Sequence, residues 1–153
     1  MGNTANNNGV RYVHGATIAH FLTLPRLEIK SAPRKPTSMS RDFVNQICAT
    51  FPNAEVNDPW GGGHDAWKIG EKMFACIGSV GNGVSVKCAD VETAQMLIEC
   101  GQAVRAPYFH KSWIRIPFET LDDDFLKQRL EISYSLVRAG LTKKLQATLG
   151  VWP

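Results

Sequence analysis

Gly81-Asn82-Gly83 lies between two apolar runs, Lys72 to Gly78 and Val84 to Cys88, and it narrows the fold more than any other stretch of the chain. An Asn-Gly pair supplies the positive φ that a tight hairpin requires, so the two runs read as adjacent antiparallel strands. In the second run Val84, Val86 and Cys88 alternate with Ser85 and Lys87, which predicts one buried and one wet face. Asp65 to Ile69 leads through Gly70-Glu71 into the first of these strands, so three strands follow one another along the chain.

Helical periodicity flanks this core. Phe43, Val44, Ile47, Cys48 and Phe51 mark one face of a helix that ends before Pro52, with Ser40 as its cap and Asp42 in the first turn. A loop from Asn53 to His64 comes next, with a short strand near Glu55. Asp90 caps a second helix striped by Val91, Ala94, Leu97 and Ile98 and ended by Gly101. Arg105 to Phe109 and Trp113 to Phe118 read as strands; in the latter, Ile114 and Ile116 point one way while Trp113 and Arg115 point the other. Asp122-Asp123-Asp124 opens a long helix running to Ala139. In it Phe125, Ile132 and Leu136 form one row, with Leu126, Leu130, Ser133 and Val137 beside it. Gly140 stops that helix, and Thr142 caps a short final one through Leu149. The order α-βββ(β)-α-ββ-α-α predicts an α+β fold, an antiparallel β-sheet flanked by helices.

The 153 residues suit one such domain, with 44% hydrophobic and 20% charged residues. The longest apolar candidate for a membrane span, Ala16 to Leu24, is short and interrupted by His20. Residues 1–38 differ in character: Asn3 to Asn8 is rich in Asn, and Pro25, Pro33 and Pro36 punctuate the second half of the segment. They read as a poorly ordered extension, with residues 39–150 as the single α+β domain. Met1-Gly2 lacks the Ser or Thr at position 6 of a myristoylation signal, and no secretory or transit pattern is complete. Met39 as the true start, with a mis-assigned upstream stretch, is the simplest expectation.

The formal charge of +3 comes from that extension: residues 1–37 hold five basic side chains against Glu28 alone, a net +4, while the other 12 basic and 13 acidic residues give −1. A whole-protein charge argument for a polyanion is therefore weak. Cys48, Cys76, Cys88 and Cys100 contain no Cys-x-x-Cys pair, and free buried thiols in a reducing cytoplasm are the expectation.

Pro59-Trp60-Gly61 followed by His64-Asp65-x-Trp67-Lys68-Ile69-Gly70-x-Lys72-Met73-Phe74-Ala75 resembles the central signature of the MmcQ/YjbR family. Val84 to Cys88, Ala106-Pro107-Tyr108, Lys111 to Ile114, Ser133-Tyr134-x-Leu136-Val137 and Leu141 to Lys144 continue the match in order. It covers roughly residues 40–149. The resemblance implies an α+β fold similar to the frataxin-like (CyaY-like) and secretion-chaperone-like folds. It also implies a "double-wing" motif and a predicted DNA-binding role, and it carries over no catalytic residue. The extension lies outside the family pattern, and Gly61-Gly62-Gly63 is richer in glycine than that pattern.

The candidate binding chemistry lies on the strands. Across residues 64–88 and 103–118 the cations Lys68, Lys72, Lys87, Arg105, Lys111 and Arg115 face only Asp65 and Glu71, a net +4. Lys68, Lys72, Lys87, Lys111 and Arg115 are the expected phosphate contacts, with Trp113 exposed as a stacking residue. The alternative is that strand lysines simply block edge pairing. Trp60, Trp67, Phe74 and Tyr108 are either a stacking surface or core. Trp60, His64 and Trp67 form a candidate pocket for a small molecule.

Catalysis is not expected. Adjacent residues on a strand face opposite ways, so Asp65 cannot orient His64, and His110 stands alone. No metal is expected either: Asp122-Asp123-Asp124 lacks a calcium-loop pattern, and the first helix lacks the acidic face of a frataxin. Gly61-Gly62-Gly63 precedes a strand and lacks a Gly-Lys-Ser/Thr ending, so it is not a phosphate loop. The expectation is a non-enzymatic, cofactor-free, cytoplasmic monomer or weak dimer that binds DNA. A peptide or protein partner is the alternative, distinguishable by salt dependence.

Overall fold

The computed structural model describes residues 37–120 and 122–153, with side chains from residue 40. The expected extension over residues 1–38 lies outside the described residues except for its last two. Helix α1 (Thr37–Ala49) is followed by strands β1 (Glu55–Asn57), β2 (Asp65–Ile69), β3 (Lys72–Ile77) and β4 (Gly83–Lys87). Helix α2 (Val91–Glu99), strands β5 (Val104–Arg105) and β6 (Trp113–Pro117), a 3-10 turn (Phe118–Thr120), α3 (Asp123–Ala139) and α4 (Lys143–Thr148) complete the order. The strands form one antiparallel sheet in the order β1-β2-β3-β4-β6-β5.

The α+β expectation holds, with local corrections. Helix α1 starts three residues before Ser40, which sits on its buried face with Val44 and Cys48 and so is not its cap. The long strand expected over Arg105 to Phe109 contracts to two residues, because the chain turns at Pro107 and Tyr108, the latter at φ +67°. The hairpin between β3 and β4 forms, but Asn82 and Gly83 are not its left-handed residues; Gly81 is, at φ +67°. The true two-residue hairpin is Gly70-Glu71, with both residues at positive φ as in a type I′ turn. Expected caps do form: Asp90 accepts from Thr93 N, Asp122 from Asp124 N and Thr142 from Leu145 N.

The core lies on the sheet face carrying Trp67, Ala75, Ile77, Val84, Val86, Ile114 and Ile116, packed by Val44 and Cys48 of α1, Ala94 and Leu97 of α2, and Leu126, Leu130 and Tyr134 of α3. Each large side chain removed from water here contributes about 1.5–3 kcal/mol before entropy is charged against it. Phe51, Phe74, Tyr134 and Trp152 form a ring cluster with centroids 4.7–5.8 Å apart. The Tyr134 hydroxyl donates to the Pro52 carbonyl at 2.6 Å, which gives that buried ring a polar anchor.

A bulge in β3 shapes the opposite face. The register against β2 shifts between Trp67 and Lys68, so Phe74 and Ala75 both reach the core while Met73 and Cys76 emerge on the other side. Beyond the Ala75–Val86 pair, where the β3–β4 register ends, come the Phe74 carbonyl and the Lys87 amide. Ser133 of α3 bonds both, donating to Phe74 O at 2.5 Å and accepting from Lys87 N at 2.8 Å.

Candidate binding cleft on the open sheet face

Across the face away from the core, cross-strand pairing aligns Ala66, Cys76, Ser85 and Arg115 in one row. Three of the four side chains are small, so the row is a trough with a cation at one end. The trough deepens into a cleft of about 630 Å³ with Met73, Cys76, Ser85 and Arg115 as its floor. Its walls are loops: Trp60 and His64 on one side, the turn from Gly78 to Asn82 on another, and Pro107 to Phe109 on the third. Among the described residues no helix lines it. Sites of this size and apolar, aromatic lining are the usual form of small-ligand pockets.

Two wall features are set by local chemistry. The Asp58 carboxylate accepts from Gly63 N at 2.7 Å and Gly61 N at 3.0 Å, and backbone hydrogen bonds of this loop, Gly63's the largest, hold it below the usual carboxylate range. The glycine loop thus directs amides to its own aspartate. Arg41 of α1 ties the same loop down, donating to Gly63 O at 2.7 Å and to Asp65 at 2.7 Å. Trp60 then packs edge-on to His64 with centroids 5.0 Å apart, and 58% of Trp60 remains exposed.

Arg115 is the charged element of the floor. Its Nε is buried with no hydrogen-bond partner among the described residues. Tyr108, fully exposed on its left-handed turn, and Phe109 stand across from Trp60. Phe109 also stacks on Trp113 at 4.6 Å, so Trp113 is half-buried rather than the exposed aromatic expected; Trp60 and Tyr108 hold that position.

The remaining site candidates divide. Lys87 is half-buried beside Trp113, with its Nζ 3.5 Å from Ser112 Oγ, and Lys111 is exposed on the neighbouring turn. Lys68 shares the open face with Met73 but stands opposite Glu55 of β1. Lys72 lies elsewhere: it donates to Gly140 O at 3.3 Å, at the C-terminal end of α3. Trp67 is not part of the cleft with Trp60 and His64. It is 5% exposed on the core face and donates from Nε1 to Asn45 at 2.8 Å.

Asp65 turns toward Arg41 and Asn45, both of which hold its pKa low, and therefore away from His64. His64 Nδ1 approaches Asp58 instead, at 3.4 Å. Three of the four cysteines are buried as expected; Cys100 is exposed because it caps α2. Burial pushes the Cys76 thiol on the cleft floor up to about 11, with Asp65 and Asp58 adding to the shift. The thiol therefore stays protonated at neutral pH. Among the described residues no cluster of His, Cys, Asp and Glu has the makings of a metal site, and no helix is long and apolar enough to cross a membrane.

Sequence reasoning does not single out Met73, Cys76, Ser85 or Phe109 as site residues. The small residues on alternating positions of β2, β3 and β4 are the signal that marks the trough, readable only once the register is known.

The YjbR family model matches residues 49–136, a span that holds all six strands and most of α3. The chain belongs to the YjbR family. A solved YjbR-like structure, Deinococcus radiodurans protein DR2400 with its DUF419 domain, aligns with a TM-score of 0.62 and 22% identity over 69% of this chain and 84% of that one. At that identity the likeness speaks for the fold alone. No curated protein matches the chain.

Proposed function

We propose that this YjbR-family protein is a non-enzymatic, cytoplasmic nucleic-acid-binding protein, with DNA the leading partner, and that the open sheet face carries the contact. The observation that carries the reading is Arg115: a guanidinium whose buried Nε lacks a partner among the described residues, set in a face bordered by aromatic rings. It is the one Lys or Arg among the described residues that line the cleft, and an anionic partner would complement its charge. Lys87 and Lys111 lie alongside, with Trp113 next to Lys87 in the register. Lys72 is not included, because its ammonium serves the end of α3. The non-enzymatic reading is supported by the Cys76 thiol, which burial keeps protonated, and by the separation of Asp65 from His64.

Fluorescence anisotropy of labelled random-sequence DNA, both duplex and single-stranded, against the full chain tests this across a salt series. Binding should weaken steeply as salt rises, and Arg115→Ala and Lys87→Ala should each lower the salt slope by about one. Unchanged slopes in both variants would assign the binding to other parts of the chain. No binding of either DNA at low salt would overturn the proposal and favour a peptide or protein partner.

A further inference from the structure

A flat charged surface would suffice to hold a duplex by its phosphates, yet this face is not flat. Between Trp60 and the Tyr108-Phe109 pair it sinks to the small side chains of Cys76 and Ser85, and Arg115 closes the floor. The volume of about 630 Å³ is in the range for one drug-sized molecule, too small for stacked base pairs and large enough for one nucleotide. Its chemistry is also divided as a nucleotide's is, with aromatic walls for a ring and one guanidinium for an anion. Paired bases inside a duplex cannot enter such a cleft without being unstacked.

We infer that the cleft takes a single unpaired nucleotide, its base among Trp60, Tyr108 and Phe109 and its phosphate on Arg115, so that the open face selects single strands over duplex. The inference rests on the nucleic-acid reading above and specifies it. The same chemistry belongs to a nucleotide within a strand and to a free mononucleotide, and the experiment separates them.

Full-length protein is titrated with a labelled single-stranded decamer, with its duplex, and with unlabelled deoxynucleoside monophosphates, the last followed by amide chemical shifts. Trp60→Ala and Tyr108→Gly are the variants of choice, because both side chains are exposed and the glycine relieves the positive φ at 108. The single strand should bind at least about tenfold tighter than the duplex at equal salt, and each variant should weaken it several-fold to tenfold, the range of losing one stacked base. Shifts at Cys76, Ser85 and Arg115 should accompany binding. Mononucleotide binding at these amides without strand binding would support the cleft assignment and overturn strand selection. Equal affinity for duplex and single strand, unchanged in both variants, would overturn the inference and leave the nucleic-acid face standing. Failure of every nucleic acid and nucleotide to bind would overturn both.

Discussion

A β-carbon at Gly83 would stand 2.7 Å from the Ile116 carbonyl and 3.2 Å from Arg115 Cγ. Gly83 does not have a left-handed φ, so its role is close approach: the Arg115 stem lies across the start of β4 because nothing stands there. Gly83→Ala should destabilise the fold by about 1–3 kcal/mol, the usual range for overpacking, as measured by urea unfolding. It should also shift the Arg115 side-chain resonances, which an overpacking effect elsewhere in the core would not. The sequence marks Gly83 correctly as a hairpin residue but for a different reason, since a glycine tolerated for its φ and one required by a neighbour look alike in one chain. Residue-level readings that rest on strand alternation fare better. The opposite orientations of His64 and Asp65, and of Trp113-Arg115 and Ile114-Ile116, follow from the period of two. Trp60 and Trp67 cannot be separated in that way, because Trp60 lies in a loop that has no period.

Among the elements, α3 and the β3 bulge depend on one hydroxyl. Ser133 is fully buried in an apolar helical row, where an alanine would ordinarily be welcome. Its Oγ serves two backbone groups from neighbouring strands, and Ser133→Ala would orphan both. The expected loss is about 2–4 kcal/mol, each buried unsatisfied group contributing about 1–3, read from denaturant midpoints. Ser135 on the same helix bonds its own turn and Trp152 and offers a comparison. Helices and strands are legible through capping residues and periodicity; the bulge is not. Its signature is a register change between β2 and β3, a pairing property that neither strand shows by itself. The early start of α1 and the contraction of β5 belong to the same class, being decided by what packs against the ends.

At the scale of the whole fold, an ion pair among the described residues joins α1 to the sheet: Arg41 to Asp65 at 2.7 Å, both partly exposed. The Arg41 hydrogen bond, joined by Asn45, lowers the Asp65 pKa below its ordinary value. The stabilisation is therefore present above the unfolded carboxylate value of about 4 and is lost as pH falls through the folded value. Arg41→Ala should cost about 0.5–1 kcal/mol near pH 7, a figure discounted for exposure. The gap from wild type should narrow on acidification through this range, as thermal unfolding at stepped pH would show. The fold class, the sheet and the charge segregation onto strands can be read from the chain. The cleft cannot, because its floor needs the strand order: β6 returns to lie beside β4, placing Arg115 next to Ser85.

That return has a thermodynamic consequence. The floor draws Cys76, Ser85 and Arg115 from three strands, with α2 and β5 intervening between β4 and β6. A partly unfolded chain that releases β6 loses the floor, so a ligand of the cleft recognises only the fully registered sheet. Occupancy and global stability are thereby linked, and the midpoint of heat unfolding climbs with the logarithm of free ligand once it exceeds Kd. The sheet itself is a reporter: a melting-temperature survey over a varied chemical library would register whatever compound belongs in the cleft, without its identity having to be guessed in advance.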